Sequence, residues 1–309
     1  MNLLRAATLV TPNVAQAAQR YAQWLDYTVV EQGEVPADLA ASWGAPASAG
    51  RPYAVLQPAS GADVFLRFVE GDPVPEYRPL RTYGWAAIEI CCQDVMAVNA
   101  RMQDAPFEII GPPKRIDGLP TIHPMQVKGP DGEIVYLTEI VSPGNGLPHP
   151  GSLIDKLFIL VLASDDMAAS GAWFSQTLGL DVGAPMTIVY NMINDAFDLP
   201  RDSRHALATA TYQKDVFLEF DQYPEAATVR PGHPGALPPG VAICTLKHPD
   251  FDSVQGDWIV APTVRDGAVY AGKRAGVLRA PGGALVEVVE LQNPLSWREG
   301  GARRAAVGG

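Results

Sequence analysis

Cysteine is scarce: three residues in 309, Cys91, Cys92 and Cys244. An odd number with two of them adjacent makes a poor disulfide framework, and no Cys-x-x-Cys occurs, so a reducing compartment and a cytoplasmic location are the expectation. Positive charge is also short. Lys and Arg number 23 against 34 Asp and Glu, a formal net charge of −11. Phosphate binding depends on Lys and Arg, so this balance argues against a nucleic-acid partner. No apolar run reaches the length a membrane helix needs. The opening "MNLLRAATLVTPN" is apolar only briefly, is broken by Pro12 and has no basic start, so it reads as a strand rather than a signal peptide. P-loop, GxGxxG, GxSxG and HExxH motifs are all missing.

What the chain does have is repetition. "VFLRFVEG" (64–71) returns as "VFLEFDQY" (216–223), with Glu219 where the first copy has Arg67. "NVAQAAQRYAQWLDYTV" answers to "DMAASGAWFSQTLGLDV", placing Tyr21 on Phe174 and Leu25 on Leu178. Both stretches read as helices, with Asn13 and Asp166 as N-caps. Residues 1–148 therefore resemble 152–300, and the Pro/Gly-rich "SPGNGLPHPGS" between them reads as a linker. Each half repeats again: "GWAAIEICCQD" aligns with "GVAICTLKHPD", and "GPDGEIVYLTEI" with "APGGALVEVVEL". Each quarter reads as strand, helix, then two or three strands. The fold class is thus α+β: two tandem pairs of βαβββ modules forming curled, mostly antiparallel sheets around cavities. "REGGARRAAVGG" is small and polar, and 301–309 reads as a flexible tail.

Four such modules, the helix "DMAASGAWFSQTLGL" (166–180) and the hairpin "GPDGEIVYL" (129–137) resemble the vicinal oxygen chelate superfamily. It contains glyoxalase I, extradiol dioxygenases, fosfomycin- and bleomycin-resistance proteins and methylmalonyl-CoA epimerase. The resemblance implies a small organic substrate and metal ligands on the first and last strands of each module. Carried onto this chain, the last-strand positions are Arg67, Tyr136, Glu219 and Glu287, and the first-strand positions are Ala6, Ala87, Ile159 and Ile243. None is a histidine, which departs from the metal-binding pattern. A divalent metal, if held, would lie on Glu219 and Glu287.

The resemblance and these residues together place the active site in 152–300, with Glu219 and Glu287 as an acid/base pair and 1–148 as a degenerate copy. Period two puts Phe217, Glu219 and Asp221 on one strand face. Carboxylates on strands apolar on both faces must be paired, protonated or open to a wet cavity; the plain alternative is a solvated sheet face. His205 is the candidate proton carrier or third ligand, against a reading as a surface or capping residue. Tyr190, Asn191, Thr245 and Phe217 are candidate substrate contacts. Glu89, in apolar surroundings, is assigned to an architectural pair with Arg67. "PADLAASWGAPASAGRP" and "NDAFDLPRDSRH" read as lids carrying Trp43 and Phe197. The expected function is lyase, isomerase or epimerase chemistry. The alternatives are a metal-dependent glyoxalase or ring-cleaving dioxygenase and a non-catalytic antibiotic-type binder; whether the chain forms a homodimer stays open.

Overall fold

The computed structural model describes residues 1–291; the tail at 301–309 lies outside the described residues. The first module runs β1 (Leu4–Thr11), α1 (Val14–Trp24), β2 (Tyr27–Glu34), α2 (Ala37–Ser42), β3 (Pro52–Pro58) and β4 (Phe65–Glu70). The second runs β5 (Gly84–Cys92), α3 (Val95–Met102), β6 (Glu108–Gly111), β7 (Ile122–Lys128) and β8 (Ile134–Ile140). The third has β9 (Ile154–Ser164), α4 (Met167–Leu178), β10 (Asp181–Val182), β11 (Met186–Val189), α5 (Asn191–Ala196), β12 (Arg204–Tyr212) and β13 (Asp215–Gln222). The fourth has β14 (Gly240–His248), β15 (Thr263–Arg265), β16 (Lys273–Arg279) and β17 (Leu285–Glu290).

Three of the modules begin alike. Asn13, Asp94 and Asp166 accept backbone N–H groups at the starts of α1, α3 and α4, a cap worth about 1 kcal/mol each. Gly179 closes α4 in the left-handed conformation, φ 61°. The fourth module departs from the expected pattern. Where the others have a helix it has one 3-10 turn, Phe251–Ser253, hemmed in by Pro249 and Gly256.

The modules combine differently from the sequence expectation. One eight-stranded sheet runs β15-β16-β17-β14-β1-β4-β3-β2, joining the fourth module to the first. A nine-stranded sheet joins the third to the second, in the order β10-β12-β13-β9-β5-β8-β7-β6, with β11 on β12. The seams are antiparallel, β1 against β14 and β5 against β9; within each module the first and last strands pair in parallel. The halves 1–148 and 152–300 are therefore sequence repeats, but neither encloses a hollow alone. A repeat identifies the modules without saying which apolar edge meets which. Here the long strand β9 takes β5, all nine residues of which are buried.

The largest apolar cluster draws on both sheets and on α1, α3 and α4, from Leu66 and Phe68 to Phe174 and Phe220. Each sheet encloses a smaller cluster on its other face, around Trp43 and Tyr270 in one and around Tyr136, Tyr190 and Phe197 in the other. These two hollows are where the chemistry-bearing side chains converge. Both segments pack into the hollows: α2 with the adjoining Trp43 in the first, α5 with the adjoining Phe197 in the second.

Candidate functional site

Strand register aligns four positions per sheet. In the eight-stranded sheet Thr8 lies beside Arg67 and Thr245 beside Glu287. In the nine-stranded sheet Glu89 lies beside Tyr136 and Val161 beside Glu219. The first-strand positions are thus Thr8, Glu89, Val161 and Thr245, two residues beyond Ala6, Ala87, Ile159 and Ile243 and on the same face. Histidine is absent from these as well.

This register overturns the expected pairing. Glu219 and Glu287 sit in different sheets and cannot share an ion or a proton. Glu287 instead meets Arg67, Nη2 to Oε2 at 2.9 Å, with the two side chains 1% and 2% exposed. Trp43 Nε1 (2.9 Å) and Tyr270 OH (2.8 Å) donate to Oε1, and Thr245 Oγ1 (2.8 Å) donates to Oε2. Arg67 also donates to Thr8 Oγ1 at 2.9 Å and to Tyr270 OH at 2.6 Å, and its guanidinium lies 4.6 Å from the Trp43 ring centroid. Burial alone would raise the Glu287 carboxyl, but Arg67 and the three donors hold it below the ordinary carboxylate range. Every polar arm of Arg67 and of Glu287 is occupied, and both side chains are buried. Thr245 belongs to this network rather than to a substrate surface.

The nine-stranded sheet holds the opposite arrangement: three acids with no cation paired to them among the described residues. Glu89 (5% exposed) and Asp221 (1%) are buried, while Glu219 is half-buried. Thr138 donates to Glu89 at 2.6 Å. Tyr136 lies 2.7 Å from Tyr190, whose hydroxyl donates to Glu219 at 3.2 Å. That direction makes Tyr136 the donor to Tyr190, a relay ending on Glu219. Both Asp221 oxygens are buried with no donor in hydrogen-bond geometry among the described residues. Burial, then the Glu219 charge, pushes Glu89 up to about 8. Burial, then Glu219, raises Asp221 well above the ordinary range, and burial raises Glu219. These carboxyls titrate as one coupled group that retains protons near neutrality. Tyr136 and Tyr190 are raised well above their usual value, by burial first and Asp221 next, and stay neutral donors.

The structure thus sets aside the Glu89–Arg67 assignment: Arg67 pairs with Glu287, and Glu89, in the other sheet, accepts from Thr138 and feels the Glu219 charge. Tyr190 does lie in the hollow, against Glu219. Asn191, the first residue of α5, is exposed. Phe217 lies in the main core instead of beside Glu219. A bulge is the cause: Ala210 opposes Leu218 while the next residue, Thr211, opposes Val216, so Phe217 is turned to the other face. His205 donates from Nε2 to Asn194 Oδ1 of α5 at 2.6 Å. Along β12 it is two residues from Leu207, which opposes Asp221, and four from Thr209, which opposes Glu219. Its place is under the lid: Asn194 also donates to the carbonyls of Arg201 and Ser203. Asp221 and Glu89 are the acids missing from the sequence-derived pair. The period-two face of β13 already signals the first, and the apolar neighbours of Glu89 signal the second.

The donor set does not fit a zinc or iron ion. Glu89, Glu219 and Asp221 supply only carboxylate oxygen, without imidazole. Among the described residues no three His, Cys, Asp or Glu side chains are placed to hold one metal ion.

Retained protons give the stability a sign. Between the ordinary carboxylate pKa and the raised one, the folded chain keeps protons that the unfolded chain has lost. Stability from this cluster therefore falls as pH rises, for Glu89 up to about 8. Each unit of upward shift corresponds to about 1.4 kcal/mol. Asp221→Asn, which removes the worst-partnered charge, is expected to raise the melting temperature at pH 8 and to lose that advantage at pH 5. Equal destabilisation at both pH values would contradict the assignment.

No family model matches the chain, and no curated protein matches it. Solved structures do. Glyoxalase I from Zea mays aligns with a TM-score of 0.62 at 14% identity, covering 98% of this chain and 96% of that one. A mutant of that same maize enzyme gives 0.63 at 15% identity over 96% and 94%. A Bacillus subtilis protein named as a dioxygenase gives 0.61 at 12% identity over 98% and 94%. At these identities the likeness speaks for the fold alone. Over nearly its whole length, this chain of four modules has the fold of the vicinal oxygen chelate superfamily.

Proposed function

We propose that the chain is an enzyme that moves a proton on a carbon next to a carbonyl of a small organic molecule, in the hollow of the nine-stranded sheet. The class is isomerase, epimerase or lyase. The observation that carries this reading is the cation-free cluster of Glu89, Glu219 and Asp221, with a tyrosine relay ending on Glu219. General acid–base work at neutral pH wants one group able to accept and one able to give. Three coupled carboxyls with raised pKa values offer both. Glu219, the most exposed of the three, takes the proton from carbon. The bond's electrons move onto the carbonyl oxygen, which receives a hydrogen bond from neutral Tyr190. Glu89, protonated, returns a proton to the same or the adjacent carbon. No oxidant is consumed. The lid α5 keeps water away from the enolate while it exists.

The test is exchange. Small 2-oxo and 2-hydroxycarbonyl acids incubated in deuterated water are expected to lose their α-proton signal with the native chain and to keep it with Glu219→Gln. Exchange that survives Glu219→Gln undiminished would end the reading. One observation favours a second: the unpartnered Asp221 oxygens would suit a cationic ligand held without reaction. A cationic compound that binds and is recovered unchanged, with no exchange of any carbonyl acid, is the result that reading expects.

A further inference from the structure

A cleft of about 320 Å³ opens beside the two sheets, touching the polar network of the Arg67–Glu287 hollow only through Trp43. It lies among the starts of β5, β14 and β17, the turn after Arg279, and the loop around Arg230. Its volume suits a small molecule. The chain carries a net −11, yet the charged or titratable side chains lining this cleft include Arg230, Arg279 and His233, with no Asp or Glu among the described lining residues.

The two arginines are in different states. Arg230 is half-buried and fixed. Nε donates to Thr82 Oγ1 (3.1 Å), Nη1 to the Pro239 and Val241 carbonyls (3.2 and 2.9 Å), and Nη2 to the Trp85 carbonyl (2.8 Å). All four acceptors are neutral, so none of them compensates its charge. Arg279 is exposed and makes one long contact, Nη1 to the Gly283 carbonyl at 3.4 Å. Among the described residues neither guanidinium has a carboxylate within salt-bridge distance, a state shared with Arg78, Arg81, Arg115, Arg201 and Arg204; what sets this pair apart is that both line one cleft. Gly44, at φ 66°, leaves room for Arg279: a Cβ there would stand 3.2 Å from its Nη2. The apolar lining with exposed surface is Val229, Pro231 and Pro238, while Trp85, Val241 and Leu285 lie buried beneath.

We propose that this cleft binds a small organic anion, an oxyanion head against Arg279 and Arg230 on an apolar body against Val229, Pro231 and Pro238. A guanidinium presents parallel donors that match a carboxylate or a phosphate, and the fixed Arg230 contributes charge at no further ordering cost. The site is independent of the carboxyl cluster, sharing no side chain with it.

Benzoate and phenyl phosphate serve as probes, with benzamide as the neutral counterpart, each titrated into the full chain while amide and indole shifts are followed. At least one anion is expected to saturate shifts at Gly282, Gly283 and the Trp85 indole, and benzamide to leave them in place. If both anions bind, the site reads an oxyanion generally; if one does, the class narrows to carboxylate or to phosphate. Arg279→Gln, an exposed change that leaves distant signals unmoved, is expected to weaken binding roughly ten- to a hundredfold, the worth of a hydrogen bond to a charged group. Benzamide binding as tightly as the anions, Arg279→Gln binding unchanged, or no saturable shift with either anion would each overturn the proposal.

Discussion

Arg67→Met is expected to cost about 3–5 kcal/mol of folding stability, the range for removing one partner of a buried ion pair. Glu287 would keep its three neutral donors but lose the cation it pairs with, inside a buried hollow. The single variant therefore measures an orphaned charge, not the net worth of the pair. The double variant Arg67→Met/Glu287→Met separates the two. Well-packed apolar replacements of a buried pair are often close to neutral, so the double variant is expected to recover most of the loss in a urea titration. Glu287 also gives this hollow its own pH sign. Its carboxyl is held low, so its contribution is present above the ordinary carboxylate pKa and lost as pH falls through the lowered one. The acid cluster in the other sheet behaves in the reverse sense. A loss below about 1 kcal/mol for Arg67→Met, far under the range for a broken buried pair, or a double variant no more stable than the single, would show the pair is not the seal described here.

The second large effect is on turnover. Glu219→Gln is expected to lower kcat by about 10²–10⁴-fold, the contribution of a positioned general base. KM should change little, because the amide keeps the shape of the side chain and can still accept from Tyr190. Tyr190→Phe should also act on kcat, by up to about 10²–10³-fold if its hydroxyl meets the developing oxyanion. Glu287→Gln bears only on folding, since its carboxylate faces Arg67 in the other sheet. A Glu287→Gln chain that folds but loses turnover, beside a Glu219→Gln chain that keeps it, would reverse the assignment of hollows.

Much of the architecture is legible in the residues. The recurrence of Val64–Gly71 at Val216–Tyr223 marks the modules, and Asn13 and Asp166 cap the helices that their side-chain chemistry suggests. The site is legible only in pieces. Tyr190 and Glu219 can be picked out from strand pattern, as can the shared face of Glu219 and Asp221. Their partners cannot, because the seam between β5 and β9 is decided by whole apolar edges rather than by a local signal. That one tertiary choice gives Arg67 to Glu287 and puts Glu89 in the same sheet as Glu219. Phe217 shows the same limit on a smaller scale: one bulge at Ala210/Thr211 defeats a period-two count. His205, a candidate proton carrier from the sequence, is found donating to Asn194 of α5, a bond that no local pattern signals.

The central claim is that one hollow holds acids sharing protons at neutral pH while the other is sealed by an ion pair. Carbon-13 titration of the side-chain carboxyls measures this directly. The account predicts that at pH 7 at least one of Glu89, Glu219 and Asp221 is still protonated, with Glu89 titrating near 8 and Glu287 already ionised. All three acids ionised in the ordinary carboxylate range, with Glu287 the one left protonated, would contradict it.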